Sequence, residues 1–209
     1  MRLLLRTTTS MSLFDQLPVV VIGAGGHAAV VVSSLFRLGV SILGATRRGG
    51  DGNGPELGIP IIGDDSVLEK MEPSEVMLVN GIGMTAPAQS ARCQAASRLR
   101  SLGFRFRPVI DPTSIVAAGV EIKDGAQVLA GAVIQPRTVI GVDTIVNTGA
   151  CIDHDCEIGA HSHICPGVTI TGNVRIGSGS LIGAGTIVTP GVSIEKNSMI
   201  KAGSLITSR

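Results

Sequence analysis

Residues 134–170 read IQPRTVIGVDTIVNTGACIDHDCEIGAHSHICPGVTI, and every sixth residue of that stretch is isoleucine or valine. The beat extends both ways without a miss, back to Ile110, Val116, Ile122 and Val128 and on to Ile194, Ile200 and Ile206. A second, mostly smaller rail follows four residues after each of these, as in Ala126, Ala132, Thr138, Thr144, Ala150, Cys156 and Ser162. A period of six fits neither an α-helix nor a lone strand, whose side chains repeat every 3.6 and 2 residues. It fits a short strand plus a corner, repeated. The branched aliphatic points inward and stacks on its equivalent one coil away, while the smaller residue fills the narrower space near the corner. Three hexads make one turn of a triangular prism, and coils stacked at strand spacing give a parallel β-helix roughly 25 Å tall. Glycines recur at the expected corners (Gly119, Gly125, Gly131, Gly141, Gly149, Gly159, Gly167, Gly177, Gly183, Gly185 and Gly191). There a positive φ costs least in a residue without Cβ.

The first half follows a different pattern. Pro18 to Ile22 is short, branched and apolar, as a buried strand requires. The turn GAGGHA (Gly23 to Ala28) follows, then an apolar stretch through Leu38 that reads as a helix closed by Gly39. Further strands are expected at Ser41 to Ala45, Ile59 to Ile62 and Val76 to Val79. Asp64 or Asp65 can cap a helix reaching Met71, and Pro87 can open another that runs to Leu102 and stops at Gly103. Strands alternating with helices imply a parallel sheet covered on both faces, with Phe104 to Pro108 as the connector. The expected organisation is a loose leader over 1–16 (Met11 being a second candidate start), a Rossmann-like α/β domain over 17–107 and the β-helix over 108–209.

Composition narrows the function classes. Formal net charge is +1 with no charged block, so nothing electrostatic points to nucleic acid or a membrane surface. Trp and Tyr are absent and the 4 Phe all precede the β-helix, which removes aromatic platforms for single strands. No apolar run reaches transmembrane length. Cys93, Cys151, Cys156 and Cys165 form no disulfide framework, so a reduced, cytoplasmic setting is expected.

The chemistry concentrates in CIDHDCEIGAHSHIC (151–165), which holds His154, His161 and His163, three of the 4 histidines. His154 lies two residues past the rail residue Ile152, on an outward corner, flanked by Asp153 and Asp155. An imidazole beside a carboxylate can accept a proton, the carboxylate fixing its tautomer and supporting the cation that forms. That suits an amine or hydroxyl attacking a thioester. The cluster's spacings match no zinc-ribbon or finger pattern, and no metal is expected. In the first half, the glycine turn between strand and helix leaves N–H groups aimed at an anion. Strand two, however, ends Thr46-Arg47-Arg48 rather than in an acidic residue for the ribose, which weakens NAD(H) and leaves phosphate binding or a plain tight turn as the readings of this motif.

Together, GAGGHA after a first strand and a β-helix carrying a His-Asp corner resemble the bacterial nucleotide-sugar acyltransferases of the hexapeptide-repeat left-handed β-helix superfamily. These include the sialic acid O-acetyltransferase type and the N-acetyltransferases of bacillosamine, perosamine and viosamine pathways. The resemblance covers roughly residues 17–206. It implies a homotrimer with acetyl-CoA between neighbouring β-helices, His154 as general base and Asp155 as its orienting carboxylate. It places His163, Gly172, Ala184 and Ala202 on the cofactor, and Asn147 near the sugar. It sets Gly25, Gly26 and His27, with Thr46 and Arg47 after strand two, on the nucleotide-sugar. The chain departs from the family in having Thr46-Arg47-Arg48 in place of an acidic pair and Asp111-Pro112 in place of His-Pro. It also stops at Ser208-Arg209, where relatives carry a further tail. The expected reaction is acetyl transfer from acetyl-CoA to the amino group of a nucleotide-linked 4-amino-sugar. The alternatives are sugar O-acetylation, a zinc enzyme like the γ-type carbonic anhydrases and a non-catalytic scaffold.

Overall fold

The computed structural model describes residues 16–48, 56–84 and 91–208. The expected leader, the Met11 start, most of the glycine-rich loop after strand two and Pro87 lie outside the described residues.

Four strands, β1 (Val19–Ile22), β2 (Ile42–Thr46), β3 (Ile61–Gly63) and β4 (Met77–Asn80), form one sheet in the order β3-β2-β1-β4. All its pairings are parallel. Period-two alternation gives β1 two buried faces. Val19 and Val21 pack with Ala28, Val31, Val32 and Leu35 of helix α1 (Gly26–Arg37). Val20 and Ile22 pack with Ala95, Ala96 and Leu99 of helix α2 (Ala91–Ser101). The helix expected after Asp64 is a six-residue 3₁₀ segment, Asp65–Lys70, with Asp64 as its cap. Phe104 to Pro108 is more than a connector. Phe106 bridges Leu78 in parallel, with Leu78 N–H donating to Arg105 O (2.9 Å) and Arg107 N–H to Leu78 O (2.8 Å), so the chain runs along the sheet edge before it leaves.

From β5 (Val109–Ile110) to β21 (Leu205–Ile206) the strands are two residues long, one per hexad. They stack into three parallel sheets. Sheet I contains Gln127–Val128, Ile145–Val146 and His163–Ile164; sheet II contains Val133–Ile134, Cys151–Ile152 and Thr169–Ile170; sheet III contains Val139–Ile140, Glu157–Ile158 and Arg175–Ile176. The rail residues form the core, buried from Val128 to Ile194 and partly open at the two ends, where no further coil covers them.

The corners divide the glycines into two kinds, correcting the expectation that all of them serve a positive φ. Every sixth residue from Gly119 to Gly203 has φ between 56° and 80°. Gly141, Gly159, Gly177 and Gly183 do not belong to that set. They sit immediately after a strand, and a Cβ there would run into the backbone of the next coil (2.5 Å from Ser178 N at Gly159). At the positive-φ sites, the corner between sheets I and II carries only glycine: Gly131, Gly149, Gly167, Gly185 and Gly203. Non-glycine residues occupy this conformation in the other two corners. Arg137, Asp155 and Asn173 do so between sheets II and III, and Asp143, His161 and Asn197 between III and I.

The α/β domain docks on sheet I. Val109, Leu129 and Ile145 join the α1 core cluster. Asp111 is buried and takes hydrogen bonds from Ser34 Oγ (2.6 Å), Arg37 Nη2 (2.5 Å) and Thr113 N–H (2.9 Å). Burial would raise its pKa, but the Arg37, Ser34 and Thr113 donors outweigh that and hold it below the usual carboxylate range. Asp111 therefore staples α1 to the first coil. At the III–I corner, Asp143 accepts a bidentate pair from Arg100, and His161 Nδ1 lies 3.5 Å from the same carboxylate.

Candidate active site

The three clustered histidines have three separate environments. The hexad explains why, since residues seven and nine positions after His154 fall on other sides of the prism. His154 stands on the II–III corner, His161 on the III–I corner, and His163 on a strand of sheet I facing the α/β domain. His161 belongs to the domain interface. Its pKa is raised first by a hydrogen bond with Cys93 of α2, against burial, with the Asp143 charge adding to the rise. Among the described residues, no group of three or more His, Cys, Asp or Glu side chains is arranged to hold a metal ion.

At the II–III corner, the His154 side chain is half-exposed and its Nδ1 is 2.6 Å from Asp155 Oδ2. Asp155 is held in turn by Arg137, Nε to Oδ1 at 2.6 Å and Nη2 to Oδ2 at 2.7 Å. The hydrogen bonds from Arg137 and His154, in that order, keep the Asp155 carboxyl well below the usual range, so it is an anion at all working pH values. Asp153 Oδ1 accepts the backbone N–H of His154 at 2.7 Å. One coil above, the imidazole covers Gly172. A Cβ there would lie 2.7 Å from its Cε1 and 2.9 Å from Nε2, so only glycine admits the ring in this pose. With Nδ1 directed at a permanent anion, Nε2 is the nitrogen that can take a proton. A groove of about 290 Å³ beside this corner is lined by Val133, Gln135, Cys151, Asp153, Thr169 and Thr171.

A second concavity lies between the α/β domain and sheet I. Gly23, Gly25, Gly26, His27, Gly81 to Met84 and His163 line a crevice of about 490 Å³. Gly25 is the N-cap of α1, without a side-chain cap and without an acidic residue in the first turn, and nothing lies within 4 Å of a Cβ built at Gly25 or Gly26. The positive end of the helix and its bare backbone are thus open to an anion. His27 donates Nε2–H to Gln127 Oε1 (2.8 Å), and Gln127 Nε2 donates to Asn80 O (2.7 Å). Burial, then the nearby Arg92 cation, pushes the His27 pKa down to about 4, so the ring is neutral. His163 is likewise depressed, first by burial. Its Nδ1 lies 3.0 Å from Met84 O and its Nε2 3.0 Å from Asn147 Nδ2. Donation from Nδ1–H to the carbonyl and acceptance at Nε2 satisfy both contacts in the neutral ring.

The other expected contacts sit as follows. Thr46 is fully buried, donating to Asp65 Oδ1 (2.7 Å) and accepting Gly23 N–H (3.2 Å), so it braces the glycine turn from beneath and presents no surface to a ligand. Arg47 follows at the strand end, half-buried, its N–H on Gly63 O. Ala184 and Ala202 are exposed on the I–II corner, stacked one coil apart with Gly203 N–H donating to Ala184 O (2.9 Å). The structure thus groups His27 with His163 and Asn147, and His154 with Asp155 and Gly172. The two groups lie on opposite sides of the prism, because sheet I faces away from the corner where II meets III.

Sequence reasoning overlooked Arg137, Gln127 and the buried Arg92. Arg92 donates to Asn80 O (2.9 Å) and Ile82 O (2.8 Å) beneath the crevice. An eighteen-residue period exposes the first two, since Arg137 precedes Asp155 by one coil and Gln127 precedes His163 by two. No comparable signal marks Arg92.

The PglD N-terminal domain family matches residues 18–91, and the bacterial transferase hexapeptide (six repeats) family matches 173–208. GDP-perosamine N-acetyltransferase from Caulobacter crescentus, solved as a histidine-to-alanine variant in complex with CoA and GDP-perosamine, is 33% identical. The match covers 90% of this chain and 88% of that chain, with a TM-score of 0.82. The acetyltransferase domain of PglB from Neisseria gonorrhoeae FA1090 is also 33% identical, covering 90% of both chains at a TM-score of 0.82. Its complex with acetyl coenzyme A matches at 31%, covering 91% of this chain and 93% of that one, with a TM-score of 0.80. No curated protein sequence matches the chain.

Proposed function

The chain belongs to the hexapeptide-repeat nucleotide-sugar acyltransferases, and from that premise we propose that it moves an acetyl group from acetyl-CoA to the amino group of a nucleotide-linked 4-amino-sugar. The observation that carries the mechanism is the His154–Asp155 pair lying over Gly172. The acceptor amine, once unprotonated, attacks the thioester carbonyl and a C–N bond forms. Nε2 of His154 takes the proton released from nitrogen, and Asp155 supports the imidazolium. The Gly172 N–H, at the acyl end, is our candidate donor to the oxyanion. Collapse breaks the C–S bond, and the imidazolium returns its proton to the departing CoA thiolate.

The two halves, 17–107 and 108–209, divide this work. The glycine turn of the first takes the diphosphate of the acceptor at the bare N-terminus of α1. The β-helix holds the thioester and the base, with Ala184 and Ala202 on its cofactor side. Because crevice and base are on opposite sides of one prism, a complete site needs two copies. Sheet II supports a cyclic trimer, since its outward row includes Ile115, Ile187 and Leu205, all exposed, while sheet III presents Glu121, Glu157 and Arg175. None of the four cysteines, all of them among the described residues, is in a disulfide, and we read the setting as reducing and cytoplasmic. No helix among the described residues is long and apolar enough to cross a membrane.

The test is an acetyl-CoA assay that reads thiol release against a panel of nucleotide amino-sugars and free sialic acid. Activity confined to the amino-sugars is expected, and His154→Ala should lower turnover by roughly 10²–10⁴-fold. Turnover on sialic acid alone would overturn the acceptor, and full activity in His154→Ala would overturn the base.

A further inference from the structure

The II–III corner contains one group that the proposed reaction does not yet use. Arg137 lies one coil below Asp155, and its guanidinium grips that carboxylate through two nitrogens, 2.6 Å to Oδ1 and 2.7 Å to Oδ2. Oδ2 is also the oxygen that His154 Nδ1 contacts at 2.6 Å, so imidazole and guanidinium share one acceptor atom. An exposed ion pair alone carries little weight. Here a second observation stands beside it. Arg137 adopts φ 62°, a conformation that favours glycine, in a stack of corners that uses Gly119 one coil below and Gly191 three coils above. A long side chain is kept where glycine relieves the backbone.

We infer that Arg137 is a positioning residue that sets the basicity of His154. This rests on reading His154 as the base. The charges facing His154 are Asp155 beside its ring, Asp153 on its backbone N–H and Arg137 behind Asp155. From the coil above, Gly172 and Asn173, both neutral, approach it, and Cys156 Sγ approaches its carbonyl at 3.6 Å. Two carboxylates alone favour the imidazolium, the form that cannot accept a proton. The guanidinium opposes them while locking the Asp155 oxygens in the plane that orients Nδ1. The ring therefore keeps its tautomer, and removing the guanidinium would leave the two carboxylates unopposed beside it.

The experiment compares Arg137→Gly, Arg137→Gln and Arg137→Lys with the unaltered protein in two measurements. The first is a ¹³C-edited NMR titration of the histidine Cε1–H signals, with His154 identified by its loss in His154→Ala. The second is the pH profile of kcat/KM. In the Gly and Gln variants the His154 midpoint should rise by about half to one pH unit, and the acid limb should move with it. KM for acetyl-CoA should hold, and the Lys variant should recover part of the shift. Arg137→Gly also removes the positive-φ strain, so its Tm should stay within a few degrees. A midpoint unmoved in both Gly and Gln variants overturns the inference, as does a raised KM for acetyl-CoA with an unmoved profile, which would make Arg137 a cofactor contact. Activity surviving in His154→Ala removes the base itself, whereas the NMR midpoint still reports on Arg137, so the two failures are separable.

Discussion

At the level of single residues, His154, the proposed base, is arranged by what lies beside and above it. Asp155 fixes one nitrogen of His154 and the missing Cβ of Gly172 makes room for the ring. Gly172→Ala tests that second contact. The new methyl would meet Cε1 at 2.7 Å, and an imidazole displaced by about 1 Å should cost about 10²-fold in kcat. Position 172 is outside the positive-φ set, so the fold should tolerate alanine, and an unchanged melting curve with lost kcat is the expected pair of results. Unchanged kcat would show that the ring's position over Gly172 is irrelevant to turnover.

At the level of the coil, the two kinds of corner glycine predict two kinds of damage. Gly159→Ala places a methyl 2.5 Å from Ser178 N, which no side-chain rotation relieves, so coils must separate. Overpacking of this kind costs roughly 1–3 kcal/mol, or several degrees of Tm. Gly131→Ala meets no atom closer than Gly149 N at 4.0 Å but holds φ at 68°, a local strain of about 1–2 kcal/mol that leaves stacking intact. Thermal melts should therefore show the larger loss for Gly159→Ala, and hydrogen exchange should show opened coils there alone. Equal losses and equal exchange would mean that dihedral strain governs both sites.

At the level of the molecule, the proposed function depends on bringing the crevice of one copy to the corner of another. Gly25→Asp puts a carboxylate at the N-cap of α1, where it satisfies free N–H groups and suits the helix dipole yet repels a diphosphate. The variant should fold at least as well and show a KM for the nucleotide-sugar raised at least about tenfold. Co-expressed with His154→Ala, it should yield mixed oligomers in which roughly a quarter of sites are intact by random assortment. A mixture as inactive as its parents would place each site within one chain and remove the reason for a trimer.

Much of this architecture is legible along the chain because a hexad is a local rule. Rail, corner and strand recur at fixed spacing, so prism, sheet order and the outward corner of His154 all follow from counting. The parallel α/β sheet is equally legible from its strand–turn–helix punctuation, though not the edge pairing of Phe106 with Leu78, which forms between distant segments. The spread of His154, His161 and His163 over different sides of the prism also follows from the hexad, once eighteen rather than nine is taken as the distance between neighbours. Only the folded molecule shows how the two halves meet. It makes Asp111 the clasp between domains and sinks Thr46 beneath the turn. It also makes His27 and His163 neutral, because burial and the Arg92 charge act through space between residues far apart in the chain. Periodicity specifies which side a residue faces; what stands opposite is decided by packing.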